Sequence, residues 1–281
     1  IDVLKMKMLK YSDDNGKAEL LEIPDALMAQ AEDLRNKLIE AAAENEESLM
    51  EKFFDTGTLE EAEIARGIKL GIAKRSLYPI FCTSAKKNYG IGRLMEFIGT
   101  SCPSPIDVTS PKTIEGNEIK IDPKAPLVLF VFKTSIEQHI GEINYFKVIS
   151  GTLSENADVV NNFNNTKERI SQLLVVAGKT RNKIEKICAG DIGATVKLKN
   201  TKYNHTLALS NNDVQLDPIH FSNPRYRTAI KAQSESDDEK LGEALNRMHI
   251  EDPTILIEYS KELKQIIVSG QGEYHLNILK L

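Results

Sequence analysis

The sequence contains no tryptophan, only three cysteines, and aromatic residues at 6% of its 281 positions. Cys82, Cys102 and Cys188 form no CxxC pair, so the pattern indicates neither a zinc site nor a disulfide framework. No apolar run reaches the roughly 20 residues that a transmembrane helix needs, and no membrane partner is expected. Few, unpaired cysteines are typical of a reducing compartment, so we expect a cytoplasmic protein.

Sequence motifs for catalysis are also missing. No G-x-x-x-x-G-K-[ST] phosphate-binding loop occurs, and spacing assigns no catalytic residue. None of the five histidines has a histidine or cysteine at metal-ligand spacing, so no metal site is predicted. The chain starts at Ile1 rather than at methionine, and we expect it to be a piece of a longer protein.

The net charge is −5, but the charged residues are distributed unevenly along the sequence. Residues 1–66 hold eight Lys and Arg against 17 Asp and Glu, whereas residues 67–93 hold six basic residues and no acid. Residues 163–202 hold nine basic and three acidic residues. Such segregation favours a chain that offers different faces to different partners, although solvated helices alone also produce acidic faces.

The first 75 residues predict a β-hairpin followed by three amphipathic helices. Strands are expected over residues 3–11 and 17–23, joined by the Asn15-Gly16 turn signal. Pro24 opens the first helix, and Thr58 with Glu61 forms the capping-box pattern of the third. The apolar residues expected to face a core are Leu27, Ala31, Leu34 and Leu38, then Leu49, Met50, Phe53 and Phe54, then Ile64, Ile68 and Ile72.

The next segment predicts a strand, a turn and a helix of an α/β domain. The strand covers residues 78–83, the polar turn residues 84–88 and the helix residues 90–99. The run Pro103-Ser104-Pro105 predicts a domain boundary. The expected apolar face of the helix comprises Ile91, Leu94, Met95 and Ile98.

The remainder predicts a small β-barrel and then an α+β domain. Short apolar segments separated by turn signals fill residues 127–209 without a helical pattern between them. From Tyr226 the order β-α-β-β-α, with Ser236 and Glu239 as a second capping box, is that of a ferredoxin-like split unit without its final strand. The expected barrel strands include residues 127–133, 143–149, 158–161, 169–175 and 195–198.

Four short motifs carry a resemblance to one family: Ser84-Ala85-Lys86, Gly151-Thr152-Leu153, residues 189–194, and residues 267–276. In this order, and in these structural settings, the sequence resembles translation elongation factor G, a translational GTPase, over essentially its whole length. The fourth motif is the most specific, because a glycine turn entering a helix accounts only for Gly270 and Gly272.

The resemblance implies a division of the chain into three parts, so the implied fold class is multidomain, with α/β, all-β and α+β domains. Residues 1–104 would comprise the inserted subdomain of the G domain (1–75) and the last strand and helix of that domain (76–104). Residues 105–218 would be domain II, a β-barrel, and residues 219–281 domain III, ferredoxin-like and lacking its last strand.

The resemblance also implies that the full-length parent binds GTP or GDP with magnesium. The backbone N–H of Ala85 would meet the guanine O6, Ser84 would brace the guanine-reading aspartate, and the stem of Lys86 would pack near the base. Because the sequence lacks the phosphate-binding loop, we expect these 281 residues to bind no cofactor tightly and not to hydrolyse GTP.

The basic stretch of residues 163–202 predicts an electrostatic contact with RNA, although a solvated lysine-rich surface has the same composition. Aromatic residues are scarce there, with Phe163 at the start and Tyr203 just past the end, which favours contact with the backbone of folded RNA. The resemblance implies the ribosome, its RNA and its proteins, as the partner, and no DNA partner is expected. The candidate contact residues are Lys167, Arg169, Lys179, Arg181 and Lys183.

The function that the resemblance implies is ribosomal translocation of tRNA and mRNA. Some positions depart from the family pattern: Gly141-Glu142 stands where a basic pair is usual, and Asn204-His205 where Gly-Asp is usual. Gln271 and Tyr274 stand where Met and Leu are usual. Two alternatives stay open, namely a ribosome-binding paralogue without a working GTPase cycle and a ribosomal protection protein that shares these domains.

Overall fold

A computed structural model of the chain describes residues 1–12, 16–137, 139–209, 212–232 and 234–279. The chain divides into two compact units, Ile1–Thr109 and Ser110–Leu281. Each unit has a hydrophobic core of its own. Most of the predicted turn before Gly16 lies outside the described residues.

The first unit contains, in its described residues, a small hairpin and four α-helices, followed by one 3-10 turn at Pro105–Asp107. Its elements are β1 (Met8–Lys10), β2 (Glu19–Leu21), α1 (Asp25–Ala43), α2 (Glu47–Thr56), α3 (Glu61–Lys74) and α4 (Ile91–Ser101). The strands β1 and β2 pair antiparallel, and both are shorter than predicted. The buried core of this unit includes Ile39, Ala42, Leu49, Ile64 and Ile68.

The predicted apolar face of α1 is only partly correct. Leu27 and Leu34 are 40% and 47% exposed, whereas Ala31 and Ala42 are buried. Small residues let α1 and α3 approach closely, because a Cβ atom on Gly67 would lie only 2.4 Å from the carbonyl oxygen of Ala42. Close packing of the two backbones therefore selects the buried face, and the larger leucines lie beside it.

The capping box of α3 is shifted from its predicted position. Glu60, not Thr58, is the N-cap residue, and its N–H donates to the Glu63 side chain at 2.9 Å. The Thr58 carbonyl instead accepts a hydrogen bond from the Thr56 hydroxyl, in the turn where Gly57 ends α2 with a φ of 74°. The predicted core positions Ile64 and Ile68 are buried as expected.

The strand predicted over residues 78–83 is wrong, although α4 follows as predicted. All six residues are described, and none lies in a strand; Ile80 is 92% exposed. In α4, Phe97 is buried, whereas the predicted face residues Met95 and Ile98 are exposed. A buried strand needs hydrogen-bonded neighbours in a sheet, and the described part of the first unit offers none to this segment.

The second unit begins with an antiparallel β-structure. The strands are β3 (Val128–Glu137), β4 (Gly141–Ser150), β5 (Thr152–Ser154), β6 (Ala157–Asn161), β7 (Thr166–Ile170), β8 (Leu174–Ala177), β9 (Thr180–Lys183), β10 (Lys186–Cys188), β11 (Ile192–Val196) and β12 (Thr206–Ala208). Among the described residues, eight of them are hydrogen-bonded in the order β7-β6-β12-β3-β4-β11-β8-β9, and β5 pairs with β10. Inward-facing residues from several of these strands surround the fully buried Phe146 in one core, as the predicted barrel requires.

The observed strands differ from the predicted bounds, and two of the predicted strands are interrupted or end early. Residues 169–175 are not one strand, because β7 ends at Ile170 and β8 begins at Leu174. The strand predicted over residues 195–198 ends at Val196, because Lys197 has a φ of 64° and leaves the extended region.

The last part of the second unit has the predicted β-α-β-β-α order. It contains β13 (Tyr226–Ile230), α5 (Asp238–Glu251), β14 (Leu256–Ser260), β15 (Gln265–Gly270) and α6 (Glu273–Ile278). The strand β15 lies between β13 and β14 and is antiparallel to both, which confirms the split arrangement. The capping box predicted at Ser236 and Glu239 is wrong: Asp237 is the N-cap residue, and its carboxylate accepts a hydrogen bond from Ser234.

Candidate functional site

The predicted guanine-contact residues lie in a tight loop of the first unit. Ser84 and Tyr89 close this loop with two backbone hydrogen bonds of 2.9 and 3.0 Å. Tyr89 stacks on Tyr11 with ring centroids 4.7 Å apart, so the loop is anchored beside β1. Ser84 is half-buried, and Ala85 and Lys86 are exposed. The three residues therefore lie together on a backbone with fixed ends.

The five predicted RNA-contact residues fall into two groups in the second unit. Lys167 and Arg169 lie two residues apart on β7, so both side chains leave the same face of the strand. Lys179 lies in the turn between β8 and β9, and Arg181 and Lys183 lie on β9. The strands β7 and β9 are the two ends of the eight-stranded order, so strand pairing does not join the two groups. All three lysines are exposed.

The two arginines differ in how strongly an acidic partner holds them. Arg181 pairs with Glu137, and its side chain is only 27% exposed. Arg169 lies 3.7 Å from Asp158, and both side chains are more than half exposed. Exposed pairs contribute at most about 1 kcal/mol, so Arg169 can exchange its partner for a phosphate, whereas Arg181 is less available.

A third group of cations lies in the loop beside β7; it falls within the predicted basic stretch but is not among the named candidate contact residues. The loop between β11 and β12 carries Lys199 and Lys202, both exposed. The buried carboxylate of Glu168 on β7 accepts hydrogen bonds from Lys199 N at 3.2 Å, Asn200 N at 2.7 Å and the Thr201 hydroxyl at 3.1 Å. These bonds hold the loop against β7. Glu168 alternates with Lys167 and Arg169 along β7, so it holds the loop from the face opposite to these two cations.

His205 holds the end of the same loop. Its Nδ1 atom lies 2.8 Å from the side-chain nitrogen of Asn161 and 3.2 Å from the backbone nitrogen of Lys202. Both neighbours are donors, so Nδ1 accepts and the ring proton lies on Nε2. Burial and then the charge of Lys202 lower the pKa of His205, which keeps the ring neutral at pH 7. Phe163 stacks on this ring at a centroid distance of 4.4 Å.

Glycines in the second and third motifs are explained by the fold. Gly151 has a φ of 78°, and a Cβ atom there would lie 2.7 Å from the Cα atom of Leu127. A Cβ atom on Gly193 would lie 2.9 Å from the ring of Phe146. At both positions a neighbouring group approaches the backbone so closely that only glycine fits. Packing within the barrel therefore explains the two glycines, and no ligand site is needed to account for them.

The fourth motif forms a turn that the His275 side chain caps. The N–H of Gln271 donates to its Nδ1 at 3.1 Å, so Nε2 carries the proton and donates to Asp252 at 3.0 Å. This one ring therefore ties the start of α6 to the residue that follows α5. A Cβ atom on Gly270 would lie 2.6 Å from Leu276, which explains the first glycine of the motif.

The side chains that could ligate a metal lie apart from one another. Among the described residues, no group of three His, Cys, Asp or Glu side chains is placed to hold a metal ion. Within this same part of the chain, none of the helices combines the length and the apolar character needed to cross a membrane. Cys82 is exposed, and Cys102 and Cys188 are partly buried free thiols.

Comparisons with known proteins give matches over the second unit and over the whole chain. The family profile described as "Elongation factor G domain 2" matches residues 126–210, and the profile "Elongation Factor G, domain III" matches residues 221–280. Over 99% of its length, the chain is 33% identical to Elongation factor G 2 of Syntrophomonas wolfei subsp. wolfei. A crystal structure of a protein from Thermus thermophilus shares the fold over 100% of the chain, with a TM-score of 0.83 and 23% identity. The chain spans 41% of the first relative and 40% of the second.

Proposed function

The chain belongs to the elongation factor G family, and on that premise we propose that it acts in translation elongation, within a factor that moves tRNA and mRNA through the ribosome. The observation that carries this proposal is the 33% identity to Elongation factor G 2 over 99% of the chain. The chain spans 41% of that relative, so we propose for the chain only one part of the factor's activity, namely ribosome binding.

Contact with ribosomal RNA is assigned to the exposed cations of the second unit. Lys167 and Arg169 share one face of β7, and hydrogen bonds to Glu168 hold the loop that carries Lys199 and Lys202 against the same strand. Two further exposed lysines are Lys179 in the β8–β9 turn and Lys183 at the last position of β9. A loop that is already ordered loses little conformational entropy on binding. Cations that neutralise phosphates release counterions, so binding of this kind weakens steeply with salt.

A salt titration of RNA binding by the whole 281-residue chain tests this contact. The double variant Lys179→Ala/Lys183→Ala should weaken binding to small-subunit ribosomal RNA. It should also flatten the plot of log affinity against log salt by about one unit for each phosphate that is no longer neutralised.

The matched control for this titration is Lys120→Ala/Lys124→Ala, which removes the same charge from exposed lysines outside the basic stretch. The control should keep the wild-type slope. A slope that the first variant leaves unchanged would remove Lys179 and Lys183 from the contact. Equal affinity for a DNA duplex of the same length would contradict an RNA partner.

We assign the binding of GTP, GDP and magnesium to the full-length factor. The loop of residues 84–86 would form this chain's part of the guanine-binding site. The sequence contains no phosphate-binding loop, and with it lacks the lysine that such loops aim at the β- and γ-phosphates. We therefore expect these 281 residues to release no phosphate from GTP, with or without ribosomes. Ribosome-stimulated hydrolysis above the level of a heat-denatured sample would contradict this expectation.

A further inference from the structure

A cavity of about 410 Å³ lies within the second unit, between the barrel and α5. Its lining includes Phe163, Lys202, Tyr203 and His205 from the barrel and His249 from α5. The volume lies within the range of about 300–1,000 Å³ that is typical of ligand pockets. Phe163 and Tyr203 flank the basic stretch in the sequence, and the fold brings both to this one cavity.

One wall of the cavity is aromatic and fixed in place. Phe163 lies nearly parallel to the ring of His205, with 17° between the planes, and yet is 67% exposed. The N–H of Phe163 donates to the side-chain oxygen of Asn161 at 3.0 Å, and Asn161 also bonds His205. Tyr203 packs edge-on against Phe221 at a centroid distance of 5.7 Å. An incoming planar group therefore meets a stacking surface that is already formed.

The two histidines of the lining offer hydrogen-bonding atoms of opposite kind. His205 accepts at Nδ1, so its Nε2 carries a proton and is a donor. The Nδ1 atom of His249 lies 2.7 Å from the carbonyl oxygen of Ile255, which can only accept, so the neutral ring keeps Nε2 as an acceptor. Nucleobase edges likewise carry both donors and acceptors. The exposed Lys202 supplies a cation for the phosphate of such a ligand.

We propose that this cavity binds an unstacked nucleobase of RNA, with Phe163 as the stacking plane and Lys202 as the phosphate contact. The proposal rests on the RNA contact proposed above and adds base recognition to it. Phosphate contacts alone position an RNA without reading it. A base held in the cavity would instead select RNA with a single-stranded or bulged nucleotide at one defined place.

The probe is an RNA hairpin with one bulged 2-aminopurine, compared with the same hairpin fully paired. The whole chain should bind the bulged hairpin more tightly and quench its fluorescence. Phe163→Leu removes the stacking plane at an exposed position and should cost about 5- to 150-fold in affinity for the bulged hairpin alone. Phe54→Leu is the matched control, because Phe54 is a 77% exposed phenyl group in the first unit.

The Lys179→Ala/Lys183→Ala variant separates this proposal from the RNA contact on which it rests. It should weaken binding of both hairpins while keeping the preference for the bulge. If the lysine variant weakens binding but Phe163→Leu changes neither the preference nor the quenching, the cavity proposal is overturned and the RNA contact stands. If neither hairpin binds, the RNA contact fails.

Free 2-aminopurine riboside monophosphate tests the cavity without the rest of an RNA. Quenching by the wild-type chain that Phe163→Leu abolishes and Phe54→Leu retains would support the cavity even where the hairpins do not bind. Equal quenching by the wild-type chain and Phe163→Leu would overturn it.

Discussion

Gly151 shows how a single residue fixes the turn between two barrel strands. Its N–H donates to the Asp122 carbonyl at 2.8 Å, and its own carbonyl accepts from Ala189 N at 2.9 Å. Its φ of 78° lies in the left-handed region, and the backbone around Leu127 leaves no room for a Cβ atom. The residue is therefore constrained twice, by conformation and by space.

We expect Gly151→Ala to lower the free energy of unfolding by about 2 kcal/mol or more, because left-handed strain and overpacking add. Gly116→Ala is the matched control, since Gly116 has a φ of 85° but open space around it. The control should lower the free energy of unfolding only by the left-handed strain, about 1–2 kcal/mol. Urea unfolding of both variants measures the difference, and equal midpoints would show that the clash with Leu127 relaxes at no cost.

His205 should make the stability of the second unit depend on pH. Burial lowers its pKa in the folded state, so the unfolded chain binds the proton more readily. The stabilising effect is complete above the ordinary histidine pKa of about 6.5 and is lost progressively as pH falls from there toward the lowered folded-state pKa. Urea midpoints at pH 7.5 and 5.5 should therefore fall on acidification.

The variant His205→Asn tests this pH dependence, because it keeps a short polar side chain but removes the titrating group. It should be less stable than the wild-type chain at pH 7.5 and should lose less stability between the two pH values. His220→Asn is the control, since the His220 side chain is 82% exposed. A wild-type pH dependence in His205→Asn would assign the effect to other groups.

Asn204 explains how a departure from the family pattern is tolerated. It has a φ of 65°, a conformation that glycine and asparagine accept more readily than other residues. Its side chain exchanges hydrogen bonds of 2.9 and 3.1 Å with the backbone of Ile219. The resemblance marks Asn204-His205 as a departure from a usual Gly-Asp, but only the structure shows that these two side chains join two segments and support a loop.

At the scale of elements, local signals predicted helices better than strands of the first unit. The helix pattern from Ile64 to Ile72 depends on neighbours in sequence, and it is found. The strand predicted over residues 78–83 depends on partners that periodicity cannot supply, and it is absent. The buried face of α1 depends on the close approach of α3 at Gly67, which apolar spacing does not show.

Edge strands should exchange their amide hydrogens faster than central strands. Within the described sheet, β13 is hydrogen-bonded only to β15, whereas β15 has a partner on each side. The strand β3 lies between β12 and β4, and its residues Leu129 and Val131 are fully buried. We expect exchange to be fastest in β13, slower in β15 and slowest in β3, because exchange reports local opening. Equal protection of β13 and β3 would contradict this order.

At the scale of the whole molecule, charge segregation predicted part of the candidate surface. The basic stretch identified Lys167 and Arg169, which the fold keeps together on β7. It did not show that the loop carrying Lys199 and Lys202 is held against the same strand, because the inward-facing Glu168 that holds this loop looks like any charged residue in a sequence. Nor did it show the partner of Arg181, since Glu137 is 44 residues away. Contacts between distant segments are what composition cannot reveal.

Sedimentation of the chain with ribosomes tests the central claim most directly. The whole 281-residue chain should co-sediment with ribosomes at low salt, should be released as salt rises, and should be displaced by an excess of a full-length elongation factor G. The Lys120→Ala/Lys124→Ala variant should behave like the wild-type chain, and Lys179→Ala/Lys183→Ala should be released at lower salt. A folded chain that stays in the supernatant at low salt, or that the full-length factor fails to displace, would contradict the assignment of this chain to the ribosome.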